Sequence, residues 1–256
     1  MDAQTQSAAG TKITGIDLSG ATVSDVPRSI AFYRDTLGMV PSNLHEQGAE
    51  FELSDGTTFG LWNPGDDSYP TGFGVMFAVA DARAALELFR SRGAKVLMEP
   101  FDSPVCVMAM IADPDGNRLI LHQRTVKNDP VPPPHVNSQT SVNRIDWTGY
   151  HVKDAAKAVE FYRDVLGLTP TYVYESGMGA EFGLDDGNTF GVWAGTAEKA
   201  GKGAFMLGVT DAVVKVAQLR ERGLEISDAD DLGDCFMAHT KDPDGIDVII
   251  HQRKGD

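Results

Sequence analysis

Two of the six histidines in the 256 residues lie in nearly identical sequence segments, 129 residues apart. His122 stands in DPDGNRLILHQR, and His251 stands in DPDGIDVIIHQR. An imidazole can transfer a proton near neutral pH, bind a metal ion or make a structural hydrogen bond. The repetition makes both histidines candidates for lining a ligand site, and a purely structural hydrogen bond is the alternative.

The second half of the chain contains further residues that suit acid–base chemistry. His151 and Glu181 could act with His251 as proton donor and acceptor, since acid–base catalysis uses these residue types. The same His-His-Glu composition could instead bind a divalent metal ion. Glu50 occupies the matching place in the first half, and either glutamate could simply face solvent.

Two tryptophans occupy equivalent places, Trp62 in TFGLW and Trp193 in TFGVW. An indole ring can stack on a planar ligand, or it can fill a hollow as a bulky core residue. Met76 and Met206 are also equivalent, and their flexible side chains suit an adaptable apolar lining. These residues predict apolar walls around the polar candidates.

The elements that carry these residues come from a tandem duplication. The segment AEFELSDGTTFGLW matches AEFGLDDGNTFGVW at 10 of 14 positions, and FYRD, LG and DPDG recur in the same order in each half. A linker between the halves is rich in proline, which cannot continue a strand. We predict a disordered lead at 1–12, domains at 13–124 and 142–253, and a linker at 125–141.

Each half repeats internally as well. After a strand-like stretch, Asp25 can cap a helix, and Gly38 can end it. Three strands are then expected, the first around Val40 and the last two joined by an Asp-Gly turn. The second quarter repeats this order after Asp81, so the sequence predicts an α+β fold of four βαβββ units.

The overall composition excludes several classes of partner. The net charge of −15 at pH 7 disfavours nucleic acids and anionic membranes. No apolar run approaches the roughly 20 residues of a membrane span. Cys106 and Cys235 fall at equivalent positions and suggest no disulfide framework, so we predict a cytoplasmic protein. We expect a monomer or a loose homodimer.

The order of FYRDTLGM, the Val-x-Asp caps, RGAKV and DPDGN resembles the vicinal oxygen chelate superfamily. That superfamily includes glyoxalase I, the bleomycin and fosfomycin resistance proteins and the type I extradiol dioxygenases. The resemblance implies two tandem domains, each a curved sheet that forms a cup with helices outside. It also implies that several strands carry metal ligands in the metal-dependent members.

The positions that match those ligands lack metal-binding side chains in both halves. They hold Leu18, Gly60, Gly74 and Ile120 in the first half and Trp147, Gly191, Ala204 and Ile249 in the second. None of these side chains can bind a metal ion. We therefore expect no metal or other cofactor, and metal-dependent dioxygenase or glyoxalase activity is disfavoured. A divalent metal bound by displaced ligands is the alternative.

The sequence thus predicts a protein that resembles the bleomycin-resistance type and binds a small apolar or aromatic molecule in a cup. Glu50 and Glu181 would favour a cationic ligand. The predicted binding residues are Trp147, Trp193, Met206, Ile249, Trp62, His122, Glu50 and Met76. The alternative is an enzyme of the same superfamily, either a cofactor-free isomerase, lyase or cyclase using His151, His251 and Glu181, or a divalent-metal enzyme.

Overall fold

The computed structural model describes residues 10–65, 72–126, 141–196 and 202–255, which form two eight-stranded mixed sheets and their helices. The strands of the first sheet are β1 (Gly15–Thr22), β2 (Asn43–His45), β3 (Gly48–Glu52), β4 (Thr58–Trp62), β5 (Gly72–Ala78), β6 (Lys95–Asp102), β7 (Cys106–Ala112) and β8 (Arg118–Arg124). The strands of the second sheet are β9 (Arg144–Val152), β10 (Tyr172–Val173), β11 (Gly179–Gly183), β12 (Thr189–Ala194), β13 (Gly203–Gly208), β14 (Asp230–Asp231), β15 (Cys235–Lys241) and β16 (Asp247–Arg253).

The two sheets have the same topology. The first has the order β2-β3-β4-β1-β5-β8-β7-β6, and the second has β10-β11-β12-β9-β13-β16-β15-β14. In the first sheet β1 runs parallel to β4, and β5 runs parallel to β8, whereas the hairpin neighbours are antiparallel. Each half of the sequence therefore supplies one complete sheet, as the duplication predicts.

Each helix begins at an aspartate whose carboxylate accepts a backbone N–H three residues later. The helices are α1 (Val26–Ala31), α2 (Ala82–Ser91), α3 (Ala155–Glu160) and α4 (Ala212–Glu221). Their caps are Asp25, Asp81, Asp154 and Asp211. The FYRD segments extend α1 and α3 by one π-helical turn each. The predicted caps are therefore confirmed.

Alternation along the strands separates a buried face from a more open one. On β5 the side chains of Val75 and Phe77 are fully buried, whereas Met76 between them is partly exposed. On β8 Leu121 is fully buried, and Ile120 is partly exposed. Since successive strand residues point to opposite faces, the open face is the one that holds Met76 and Ile120.

The chain divides into two compact units, and each unit contains segments from both sequence halves. The first unit consists of the described residues within Met1–Leu18, Gly74–Asp129 and Gly149–Lys202. The second consists of those within Ser19–Phe73, Pro130–Thr148 and Gly203–Asp256. Each unit thus combines one βαβββ repeat of the first half with one repeat of the second half.

The repeated FYRD and DPDG motifs bond to each other inside these units. In the first unit the Tyr162 hydroxyl donates to Asp113 Oδ2 over 3.1 Å, and in the second Tyr33 donates to Asp242 Oδ2 over 3.1 Å. Burial raises the pKa of both aspartates, and each accepts backbone N–H groups of its own turn. The motifs therefore recur because each joins a turn of one half to a helix of the other.

The structure differs from the sequence prediction in one strand. The strand expected around Val40 is β2, which begins at Asn43, and Val40 is exposed outside any strand. Residues 1–9 of the predicted lead and 127–140 of the predicted linker lie outside the described residues. The backbone carbonyl of Gly10, within the predicted lead, accepts the backbone N–H of Asp81.

Candidate functional site

The strongest polar cluster of the second unit contains His251 on β16 and Asp146 on β9. Nδ1 of His251 lies 2.6 Å from Oδ2 of Asp146, and the two side chains are 9% and 1% exposed. An ionised carboxylate only accepts hydrogen bonds, so Nδ1 carries a proton and donates it. When the ring is neutral, Nε2 is then the lone-pair nitrogen.

Two arginines hold the other oxygen of the Asp146 carboxylate. Nε of Arg144 donates to Oδ1 over 2.6 Å, and the guanidinium of Arg253 pairs with the same atom at 2.7 Å. Burial raises the pKa of Asp146, but the hydrogen bonds from His251 and Arg144 and the charges of both arginines outweigh it and leave the pKa lowered. Asp146 therefore stays ionised, and its neighbours fix its orientation.

Gly208 on β13 provides the space for this cluster. It is in register with His251, and β13 lies between β9 and β16 in the sheet. A Cβ atom on Gly208 would lie 2.7 Å from Oδ2 of Asp146 and 2.5 Å from Cγ of Arg144. The Asp146 and Arg144 side chains thus lie directly over Gly208, and that of Asp146 reaches His251.

Apolar side chains surround His251 on the same face of the second sheet. Met206 is in register with Ile249, and Met237 is in register with His251. Ile249 and His251 are two residues apart on one strand, so their side chains share a face. His239 is in register with Ile249, so its side chain lies on this face as well.

The first unit contains the equivalent pair. Nδ1 of His122 lies 2.6 Å from Oδ2 of Asp17, and Nε of Arg124 donates to Oδ1 over 3.1 Å. Burial raises the pKa of Asp17, but His122 and Arg124 lower it more. Gly15 replaces the second arginine here, and Ala78 is in register with His122 at the place of the glycine.

Methionines dominate the surroundings of His122. Met108 is in register with His122, and both Met76 and Met110 are in register with Ile120. Met76, Met108 and Ile120 are partly exposed on the face opposite the buried Leu121 side. The first unit therefore has an apolar strip with one Asp–His pair at its end.

Glu181 and Trp193, both predicted site residues, meet through Tyr174 in the first unit. The Tyr174 hydroxyl donates to Oε1 of Glu181 over 2.7 Å. The ring centroids of Tyr174 and Trp193 are 4.2 Å apart in an edge-on arrangement. Burial, then the hydrogen bond and charge of Glu181, raise the pKa of Tyr174. His151 lies on β9, the strand next to β12 that carries Trp193.

Glu50 and Trp62 belong to the second unit and share one face of the first sheet. Glu50 is in register with Gly60, and Trp62 is in register with Gly48, so the alternation of the strands puts both on the same side. Trp62 is 37% exposed. Their participation in binding stays a prediction.

The predicted catalytic set divides between the units, since His151 and Glu181 belong to the first and His251 to the second. The partners that the structure gives to His122 and His251, namely Asp17 and Asp146, were missed by sequence reasoning. Strict alternation from Leu18 and Trp147 would have turned both aspartates towards the helices. Their recurrence at the same offset as the two histidines was the signal that could have identified them.

The donor sets do not fit the metal ion that metal-dependent relatives bind. All eight matching positions lie on described strands, and none has a donor side chain. Both oxygens of Asp146 already bind nitrogen donors, and two guanidinium groups would repel a cation there. Within the described ranges no group of three or more His, Cys, Asp or Glu side chains is arranged to hold a metal ion.

Comparison with known proteins agrees with the fold. The sequence model of the Glyoxalase/Bleomycin resistance protein/Dioxygenase superfamily matches residues 15–121 and 144–250, so the chain belongs to this superfamily. The chain is 30% identical to lactoylglutathione lyase GLX1 of Arabidopsis thaliana over 181 residues, which cover 61% of the chain and 58% of that protein. The chain thus matches little more than half the length of this relative.

Solved structures show the same fold at lower identity. The Mn(II)-bound glyoxalase from Novosphingobium aromaticivorans has a TM-score of 0.68 and 17% identity, covering 94% of this chain and 82% of that one. Homoprotocatechuate 2,3-dioxygenase from Brevibacterium fuscum has a TM-score of 0.74 and 16% identity, covering 97% of this chain and 84% of that one. At such identities the likeness establishes the fold alone.

Proposed function

We propose that this protein binds small, largely apolar or aromatic molecules on the open faces of its sheets, without a metal ion at the superfamily's ligand positions. One observation carries the proposal. In the described part of each unit, partly exposed methionines and an isoleucine lie on the same sheet face as an Asp–His pair. Ligand sites combine mostly apolar walls with a few well-placed polar groups, and these strips have that composition.

The remaining expectations extend this proposal. The protein acts in the cytoplasm as a monomer or loose homodimer, and its partners are small molecules rather than nucleic acids or membranes. In the described part of the chain no helix is both long and apolar enough to cross a membrane. Trp62, Trp193, Glu50 and Glu181 would provide aromatic and acidic contacts to part of the ligand.

The proposal is tested by calorimetric titration of the purified protein with uncharged and ionisable nitroaromatic compounds. Met206→Glu and Met76→Glu each place a charge on one apolar strip and should weaken binding about tenfold or more. Val213→Glu changes an exposed valine on α4 and is the matched control, which should bind normally. Absence of binding to the wild type, or unchanged binding in both methionine variants, would contradict the proposal.

Metal analysis tests the other half of the proposal. We expect the purified protein to contain no stoichiometric divalent metal, and added Mn²⁺ should not raise its melting temperature. One or more equivalents of a divalent metal ion per protein chain would refute the proposal that the protein binds its ligand without a metal ion.

A further inference from the structure

We propose that the Asp146–His251 pair is an acid–base site for a small molecule that carries a weakly acidic hydroxyl group, such as a phenol or an enol. This inference rests on the small-molecule binding proposed above and specifies its chemistry. His251 would be the residue that exchanges the proton, and Asp146 would be the positioning residue that acts through it.

Asp146 fixes the orientation of the His251 imidazole. The short contact with Asp146 uses Nδ1, and no described residue makes a hydrogen bond with Nε2 of His251. The His251 side chain is nine-tenths buried, and Nε2 is the ring nitrogen that is left for a ligand or water to bind. Asp146 cannot turn away, because both of its oxygens are held.

The cluster around His251 contains two arginines. The guanidinium groups of Arg144 and Arg253 both bind the one carboxylate beside the imidazole, although the chain as a whole is strongly acidic. Positive charge stabilises an anion that forms when a hydroxyl loses its proton. Arg253 is half exposed, so N–H groups that do not bind Asp146 can face a ligand.

The two Asp–His pairs differ in their surroundings. The first unit has the same Asp–His contact, but Gly15 replaces Arg144 and Ala78 replaces Gly208. The glycine is needed in the second unit because the Arg144 side chain crosses it. The extra arginine and the glycine that admits it occur together in the second unit, and we therefore assign the acid–base role to His251 rather than to His122.

The charged or titratable groups around His251 come from β9, β15 and its own strand, β16. β9 supplies Asp146 and Arg144, β16 itself supplies Arg253, and β15 places His239 one position away along the same face. Gly208 of β13 contributes no charge. Among the described neighbours named here, only Asp146 is acidic, and it is paired.

The chemistry is a single proton transfer. The O–H bond of the ligand breaks, its electron pair stays on oxygen, and the proton forms an N–H bond at Nε2. Asp146 stabilises the imidazolium, and the guanidinium of Arg253 stabilises the oxyanion. Met206 and Ile249 would hold the carbon skeleton. The step needs no oxidant or reductant, and reversing it returns the proton to the ligand.

The orientation of the ring is tested first on the ligand-free protein. Nitrogen-15 NMR of neutral His251 should show a proton on Nδ1 and none on Nε2. Asp146→Asn should change the His251 nitrogen shifts, whereas Asp17→Asn, the matched change in the first unit, should leave them unchanged. A neutral ring protonated on Nε2 would overturn the inference without any ligand.

Proton transfer is tested with 4-nitrophenol and its methyl ether, 4-nitroanisole, which has the same skeleton but no acidic hydroxyl. Below the pH at which free 4-nitrophenol ionises, the bound probe should show the absorbance band of the phenolate. His251→Gln should abolish that band and weaken 4-nitrophenol binding about tenfold. His45→Gln, at an exposed position on β2, is the matched control and should retain the band. Circular dichroism checks that both variants are folded.

The outcomes separate this inference from the proposed function. If neither probe binds, the small-molecule binding itself fails. If 4-nitroanisole binds as tightly as 4-nitrophenol, or if the bound phenol stays protonated in the wild type, binding stands but the acid–base inference is wrong. A phenolate band that survives in His251→Gln would also overturn it.

Discussion

Lys215 allows a sharp test of the electrostatics of the second unit. This lysine on α4 is 1% exposed, and its Nζ donates to the carbonyl oxygen of Leu37 over 2.6 Å. Burial, followed by repulsion from Arg222, lowers its pKa from 10.5 to about 8. The equivalent residue of α2 is the fully buried Ala85, so the fold accommodates an uncharged residue there.

The lowered pKa fixes the sign and size of a pH effect on stability. The folded state releases this proton near pH 8, whereas the unfolded chain keeps it until about pH 10.5. Between these values the unfolded state binds more protons than the folded state, so the free energy of unfolding increases with pH. The same contribution is lost when the pH is lowered through 8. For this group alone, the free energy of unfolding should rise by about 2 kcal/mol between about pH 7 and about pH 9.5.

The assay compares wild type with Lys215→Met, which keeps most of the side-chain volume. Urea unfolding across this pH range gives the difference in free energy, which cancels the contributions of other titrating groups. That difference should grow by about 2 kcal/mol in favour of the wild type as pH rises. Lys157→Met, at an exposed position, is the control and should give a constant difference. A flat difference for Lys215→Met would refute the reasoning.

Three further predictions follow from other contacts. Asp242→Ala removes the acceptor of a buried tyrosine hydroxyl and of its own turn, so urea unfolding should show a loss of about 3 kcal/mol; no loss would contradict this. Gly208→Ala should push Asp146 away from His251 and shift the NMR signals of His251; unchanged signals would contradict this. Glu181→Gln should bring the raised pKa of Tyr174 closer to its ordinary value, as ultraviolet titration would detect.

Much of the fold could be predicted because its signals are local. The helices α1 and α2 each begin at an aspartate whose carboxylate accepts a backbone N–H of the first turn. The Asp-Gly turns of the hairpins depend on the positive φ that glycine permits. The alternation of Val75, Met76 and Phe77 gave the buried and open faces of β5 before any contact was known. The place of β2 was missed, since a three-residue edge strand has little pattern of its own.

The candidate site was predicted only in part. His251 and its apolar neighbours follow from strand periodicity, but the aspartate that orients it does not. Asp146 directly precedes Trp147, which stands at a ligand position of the superfamily. If Trp147 pointed into the cup, strand alternation would turn the Asp146 carboxylate to the opposite face. Its contact with His251 depends on the open space above Gly208, which is a property of three strands together.

The sequence by itself determined the four repeats, their helix caps, the two sheets and the lack of donor side chains at the superfamily's ligand positions. Only the tertiary structure decided which repeats combine, because Tyr33 and Tyr162 lie in identical FYRD motifs and Asp113 and Asp242 lie in identical turns. Local sequence cannot choose between identical partners. The folded chain joins Tyr33 to Asp242 and Tyr162 to Asp113, since buried hydroxyl and carboxylate groups must find partners where packing brings them together.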